Sequence, residues 1–375
     1  MENASVVNSD LDKDSNFNGE NFKVFIINRY PPLTSIYRWS QDLSSIFEKN
    51  SVQINLIFDR SGWIRPHDGI DFKGRFMKMH LLNYFLRNIS FRDVVEYINN
   101  ERKIGQKVLL HYTNQFSGTL KINDVEEIIN IHDSPFYLEN SSLFERTYIR
   151  RLYGTLKHKE HIITNTNTLK QELEEFGFDG HIKTVYSPCS QNFHKLSVEK
   201  DFLRKKLNLP VDKTLLLSVS TDSPRKNLQM VHKVTKELGD GYRLVRVGKP
   251  LGDSITFNNI EDSTLNEIYN ACDVLLFPSL YEGFGLPIVE AFATGLPVVT
   301  SNIPTIREVA ENAAILVNPT NMEEVIGGVK EAMDLRIELS LKGIERSTAF
   351  SFNKFKRSMG LIYEEVLNSN SRHFT

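Results

Sequence analysis

Apolar runs rich in β-branched residues recur along the chain: FKVFIIN at 22–28, VQINLIF at 52–58, KVLLHYT at 107–113, EEIINIHD at 126–133, HIITNT at 161–166 and IKTVYSP at 182–188. Each reads as a strand. A second series follows, with TLLLSVS at 214–220, YRLVRVG at 242–248, DVLLFPS at 273–279, PVVTS at 297–301 and AAILVNP at 313–319. Amphipathic segments lie between several of them, such as 35–50 and 168–176, the latter stopped by Gly177. Near-continuous apolar strands alternating with helices predict parallel sheets covered on both faces. Two series predict an α/β chain of two doubly wound, Rossmann-like domains. The expected boundaries are 21–190 for the first and 214–349 for the second, with a charged, strand-free linker at 191–213 and a final helix within 350–375. Ligands of such sheets bind beyond the carboxyl ends of the strands, so the expected site is a central cleft between the domains.

Charge and composition narrow the function. A net charge of -2 over 375 residues lacks the basic excess of a nucleic-acid binder, and none is expected as a partner. The two cysteines, Cys189 and Cys272, are too few for a disulfide framework and read as buried thiols in a reducing compartment. Residues 1–20 are polar and acid-rich and read as a disordered tail without signal-peptide character. No stretch approaches the roughly 18 apolar residues of a membrane span. A cytoplasmic protein is expected. The segment FKGRFMKMHLLNYFLR at 72–87 reads as an amphipathic helix. Its basic face is either solvated at a domain surface or in peripheral contact with the inner face of an anionic membrane. The sequence does not set the oligomeric state.

The chemistry concentrates in PSLYEGFGLPIVEAFATGLPVV, 278–299. DVLLFPS is a strand, so SLYEGFGLP is the loop at its carboxyl end. Pro287 suits the first turn of a helix that Gly295 would stop. Gly283 and Gly285 let the backbone approach a ligand closely, and the free N–H groups at the helix start favour a phosphate. Glu282 then sits in the loop and Glu290 about one turn into the helix. Ionised carboxylates there suit sugar hydroxyls, since each accepts up to about four hydrogen bonds.

This stretch resembles the signature of the retaining group 1 (family 4) glycosyltransferases of GT-B fold: Glu, seven residues, Glu, around a Gly-Phe-Gly turn. SPRKNL at 223–228, LNEIYNACDVLLFPS at 265–279 and SNIPTIREV at 301–309 stand in the order that family has. The resemblance implies that Glu290 grips the ribose of a nucleotide-sugar donor and Glu282 the transferred sugar. It places backbone groups of Gly283, Phe284, Gly285 and Leu286 at the sugar and diphosphate, and Arg225 and Lys226 at the diphosphate. His132, in IHD at 131–133, would contact the donor sugar. It further implies a hexose moved from a UDP- or GDP-sugar to a glycan, lipid-linked or small-molecule acceptor. No cofactor and no metal are implied, and the final helix would return to the first domain. This chain departs from the family in lacking a glycine pair after the first strand, in YSPCSQNF at 186–193 where an Asn-Gly is common, and in Ser220 where a cation is common.

Other readings of the same residues remain. Glu282 and Glu290 also suit the acid and nucleophile of a glycosidase, although a phosphate-type loop and Arg225-Lys226 speak against hydrolysis. A sugar-nucleotide epimerase shares the fold, and a non-catalytic sugar-nucleotide or glycan-binding scaffold would keep the same pocket. Asp10, Asp12 and Asp14 form D-x-D patterns but lie in the expected tail, where they read as solvated charge.

Overall fold

A computed structural model describes residues 22–28, 35–47, 51–58, 70–74, 92–103, 107–115, 122, 125–138 and 143–369. The first part of the chain runs β1 (Phe22–Asn28), α1 (Ser35–Phe47), β2 (Ser51–Phe58), β3 (Ile70–Gly74), α2 (Arg92–Lys103), β4 (Lys107–Tyr112) and β5 (Glu126–Ile131). It continues with α3 (Pro135–Leu138), α4 (Leu143–Leu156), β6 (His161–Thr164), α5 (Asn167–Glu175) and β7 (His181–Thr184). The order across this seven-stranded sheet is β3-β2-β1-β4-β5-β6-β7, and β1 pairs in parallel with both β2 and β4.

After α6 (Lys200–Lys206), the second part runs β8 (Thr214–Val219), α7 (Leu228–Glu237), β9 (Tyr242–Val247), β10 (Ile255–Phe257) and α8 (Asp262–Ala271). Then come β11 (Val274–Phe277), α9 (Leu286–Thr294), β12 (Val298–Ser301), α10 (Pro304–Ala310), β13 (Ile315–Val317), α11 (Met322–Asp334), α12 (Arg336–Ser347) and α13 (Phe352–Ser369). The six strands lie in the order β10-β9-β8-β11-β12-β13, all parallel.

The second sheet shows why continuous apolar strands appear in the sequence. Leu215, Leu217, Leu275 and Phe277 pack on one face with α8, α9 and α10. Their neighbours Leu216, Val274 and Leu276 pack on the other with α7 and α11. A strand buried on both faces needs an apolar residue at every position, not at every second one.

By contacts the chain forms two compact units. One comprises 1–130, 159–161 and 356–375; the other comprises 131–158 and 162–355. In the first unit α13 is fixed by polar groups inside the core. His111 Nδ1 meets the Tyr363 hydroxyl, His111 Nε2 lies 2.8 Å from Asn130 Oδ1, and Lys107 Nζ donates to the Leu367 carbonyl at 3.4 Å. In the second unit the charged, strand-free segment 191–213 carries α6. Buried Arg204 donates to Asp273 Oδ2 at 2.6 Å, and the Leu215 amide donates to the same oxygen at 2.7 Å. Asp273 thereby ties α6 to the starts of β8 and β11. Residues 72–74 belong to β3 rather than to a helix, because FKG continues the strand that pairs with β2. Residues 75–87 of the basic segment, the tail 1–20 and its D-x-D patterns lie outside the described residues.

Candidate active site

The loop after β11 is built by three backbone devices. Gly285 takes φ +98° as the cap before α9, a conformation that strains any residue with a Cβ. Pro287 occupies the first turn of α9, where no backbone donor is lost. Gly295 ends α9 at φ 71°, with its amide bonded back into the last turn. At Gly283 the constraint is space. A Cβ there would sit 2.1 Å from the His132 carbonyl oxygen, so the turn after β5 and the turn after β11 touch through bare backbone.

Glu282 and Glu290, the two carboxylates of the sequence motif, are both buried, at 4% and 6% exposure. Burial of a charge requires partners. Glu282 has two: Arg225 Nη1 donates to Oε2 at 3.0 Å and Lys226 Nζ donates to Oε1 at 2.5 Å. Arg225 also donates to the Tyr281 carbonyl at 3.1 Å. The cations come from a 3₁₀ turn, Pro224–Lys226, directly after β8. Asn227 anchors that turn in the left-handed region at φ 52°, its side-chain amide donating to the carbonyls of Pro278 and Pro319 at 3.1 and 2.8 Å. Lys226 Nζ also stands 5.0 Å over the Phe277 ring. Burial lowers the Lys226 pKa; Glu282 acts against that shift, while Arg225 adds to it.

Glu290 has a different partner. The fully buried Tyr269 of α8 donates its hydroxyl to Oε2 at 2.7 Å. Burial, reinforced by the Glu290 charge, pushes the Cys189 thiol above its ordinary range, so it stays protonated and inert. Phe284 points into the core against Phe350 and Tyr186, at 5.6 and 6.2 Å between ring centroids. That leaves its backbone to form the turn, while Leu286 opens α9.

The His132 turn is pinned at three successive residues. Gly283 abuts the His132 carbonyl, Tyr153 donates its hydroxyl to the Asp133 carbonyl at 2.7 Å, and the Ser134 amide donates to the Tyr281 hydroxyl at 2.6 Å. Within this unit the structure thus gathers Arg225, Lys226, Glu282 and Gly283 with the backbone of His132. Glu290 lies on α9 beyond the turn. A buried arginine not anticipated from the sequence, Arg246 of β9, donates to the carbonyls of Ser218 and Val247 at 3.0 and 2.7 Å and also bonds the Ser220 carbonyl. It clamps the exit of β8 beside Ser220. Asn227, Tyr269 and Tyr281 lie inside the stretches 223–228, 265–279 and 278–299, but nothing in their spacing marks them as partners of the site.

Residues 199–349 match the model of the family described as glycosyl transferases group 1. Over this region the chain is similar to the group 1 glycosyltransferases. The chain is 27% identical over 278 residues to the O-antigen chain mannosyltransferase RfbU of Salmonella typhimurium, covering 69% of this chain and 74% of that one. Among solved structures, a sucrose-phosphate synthase from Thermosynechococcus elongatus superposes with a TM-score of 0.76 at 18% identity, over 93% of this chain and 100% of that one. Anabaena Alr3699/HepE in complex with UDP-glucose gives 0.73 at 15% identity, over 92% and 99%. The architecture is therefore GT-B, as the resemblance implied, and the chain is an enzyme of the glycosyltransferase class. These relatives do not favour the epimerase or scaffold readings. Among the described residues no helix is long and apolar enough to cross a membrane.

Proposed function

We propose that this group 1 glycosyltransferase moves a hexose from a nucleotide-diphosphate sugar to a hydroxyl of a glycan acceptor, with retention at the anomeric carbon. The observation that carries the reading is the pair of buried carboxylates around the Gly283–Gly285 turn, one held by two cations and the other by a phenol. Mannose is the favoured sugar, because the RfbU relative is named a mannosyltransferase. The HepE complex with UDP-glucose supports a nucleotide-diphosphate donor.

In this reading the Arg225–Lys226–Glu282 cluster is the resting arrangement. An arriving diphosphate carries more negative charge than one carboxylate and draws both cations toward itself. Glu282 is then released to accept hydrogen bonds from the transferred sugar. Glu290, already oriented by Tyr269, holds the ribose. As the bond to the sugar breaks, charge grows on the leaving phosphate. Arg225, Lys226 and the N–H groups opening α9 stabilise that charge more than the ground state. His132 lies at the sugar. The acceptor hydroxyl attacks from the face the diphosphate leaves, and its proton goes to a leaving phosphate oxygen. This scheme needs no metal, since side chains supply the positive charge. The expected setting is the cytoplasm, with any membrane contact peripheral.

The test uses a panel of GDP-, UDP- and ADP-sugars. A donor at 100 times its Kd raises stability by about 2.7 kcal/mol, read as a melting shift. The anomeric proton of the product then decides the stereochemistry. An α product from an α donor supports retention, a β product contradicts it, and an isomerised sugar nucleotide would restore the epimerase alternative.

A further inference from the structure

Tyr281 precedes Glu282 and touches two parts of the site at once. Its backbone carbonyl accepts from Arg225 at 3.1 Å, inside the cluster that holds Glu282. Its side chain reaches the other way, where its hydroxyl accepts the Ser134 amide at 2.6 Å. Two residues further on, Gly283 lies so close to the His132 carbonyl that no Cβ fits. Residues 281–283 therefore fix the His132–Ser134 turn at both its ends, while Tyr153 fixes the middle through the Asp133 carbonyl. Burial, with the Asp133 carboxylate, holds the phenol well above its ordinary range, so the group remains a neutral hydroxyl across the working pH.

The Gly283 contact is steric and sets only a minimum distance. The Tyr281–Ser134 bond is directional and sets the height and rotation of the turn. Aromatic bulk alone would suffice to fill space; a hydroxyl that accepts a backbone amide does more. We propose that Tyr281 is a positioning residue, its hydroxyl holding the His132 turn in register with Glu282 so that both meet the same sugar. Loosening the bond leaves the nucleotide contacts intact, because Glu290 and Tyr269 lie beyond it on α9 and α8. The effect belongs to turnover and not to donor binding.

The proposal rests on the reading that His132 acts at the transferred sugar, and the experiment separates the two. Tyr281→Phe removes one oxygen and keeps the ring. Amide exchange of the peptide covering 131–138 is compared with that covering 286–294. Kinetics are run with GDP-mannose and UDP-glucose on Tyr281→Phe, His132→Ala and the double variant. Exchange at 131–138 is expected to accelerate at least fivefold, with 286–294 unchanged. With the donor that turns over, kcat should fall at least fivefold and donor KM stay within twofold. In the His132→Ala background Tyr281→Phe should add no further loss, because it acts through His132. Unchanged exchange, a matching shift in KM, or additive losses would overturn the proposal. If His132→Ala alone keeps full kcat, the His132 reading fails and the positioning role fails with it. In that case faster exchange at 131–138 would show that the anchor itself exists.

Discussion

Lys226 Nζ and Glu282 Oε1 stand 2.5 Å apart on side chains only 10% and 5% exposed, although the residues are 56 positions apart in the chain. The pair joins the exit of β8 to the exit of β11. A buried pair of this kind is costly to break from one side: losses run to about 3–5 kcal/mol where the remaining charge keeps no partner, and to less where Lys226 is removed, because Arg225 still holds Glu282.

Stability and chemistry can be separated at this pair. Lys226→Met should lower both the unfolding midpoint and the donor affinity. Adding Glu282→Gln removes a buried carboxylate that Arg225 alone would then hold, so part of the stability should return while activity does not. Arg225→Ala with Lys226→Ala should cripple turnover, because both cations proposed to face the diphosphate are gone. Denaturant unfolding and steady-state kinetics on the same samples decide it. Near-native kcat in the double alanine variant would show that this turn does not face the phosphates.

What the sequence reveals depends on whether a signal is local. β8 and β11 are legible because both faces are buried and each carries an unbroken apolar run, Leu215–Leu217 and Val274–Phe277. β10 spans three half-buried residues at a sheet edge, too short for any period, and IDFKG of β3 mixes polar residues into its run. Glu282, Glu290 and the glycines share one short stretch and can be read together. The partners of those carboxylates cannot, because Tyr269, Arg225 and Lys226 reach them only through the parallel crossovers of the sheet. Arg246 is similar: YRLVRVG looks like an ordinary strand with a solvated arginine, yet the side chain is fully buried on the carbonyls of β8.

Gly283→Ala should lose activity through geometry alone. The new Cβ would lie 2.1 Å from a backbone oxygen, and neither backbone can yield without moving His132 away from Glu282. We expect kcat to drop at least tenfold, equivalent to about 1.4 kcal/mol of transition-state stabilisation. Gly154→Ala is the control. It lies in α4 with nothing within 4 Å of the added carbon, so it should gain roughly 0.5–1 kcal/mol of stability and keep full activity.

The two glutamates should separate in kinetics. Glu290 is expected to hold the ribose, which is unchanged during reaction, so Glu290→Gln should mainly raise donor KM. Glu282 is expected to meet the reacting sugar, so Glu282→Gln should mainly lower kcat. Each effect should reach at least tenfold, about 1.4 kcal/mol. Tyr269→Phe removes the hydroxyl that orients Glu290 at 2.7 Å. It should raise donor KM several-fold, in line with about 1 kcal/mol for one hydrogen bond, and spare kcat. A kcat effect at Tyr269 or a pure KM effect at Glu282 would reverse the assignment.

Lys226 gives the site a pH dependence that runs in opposite directions for folding and for binding. Burial is the main cause that sets its pKa below the ordinary lysine value of 10.5, with Glu282 opposing the shift and Arg225 adding to it. Between the folded value and 10.5 the unfolded chain binds the proton more tightly than the folded one does. Stability contributed by this group therefore rises with pH across that window. Donor affinity moves the other way, because a neutral amine no longer attracts the diphosphate. Titrating Kd by calorimetry from neutral pH toward about 10 should show affinity falling before ordinary lysines titrate. Lys226→Arg keeps its charge throughout this range and should flatten that alkaline fall, even if its overall affinity differs. An alkaline fall unchanged in Lys226→Arg would place the titrating group elsewhere and remove Lys226 from the diphosphate site.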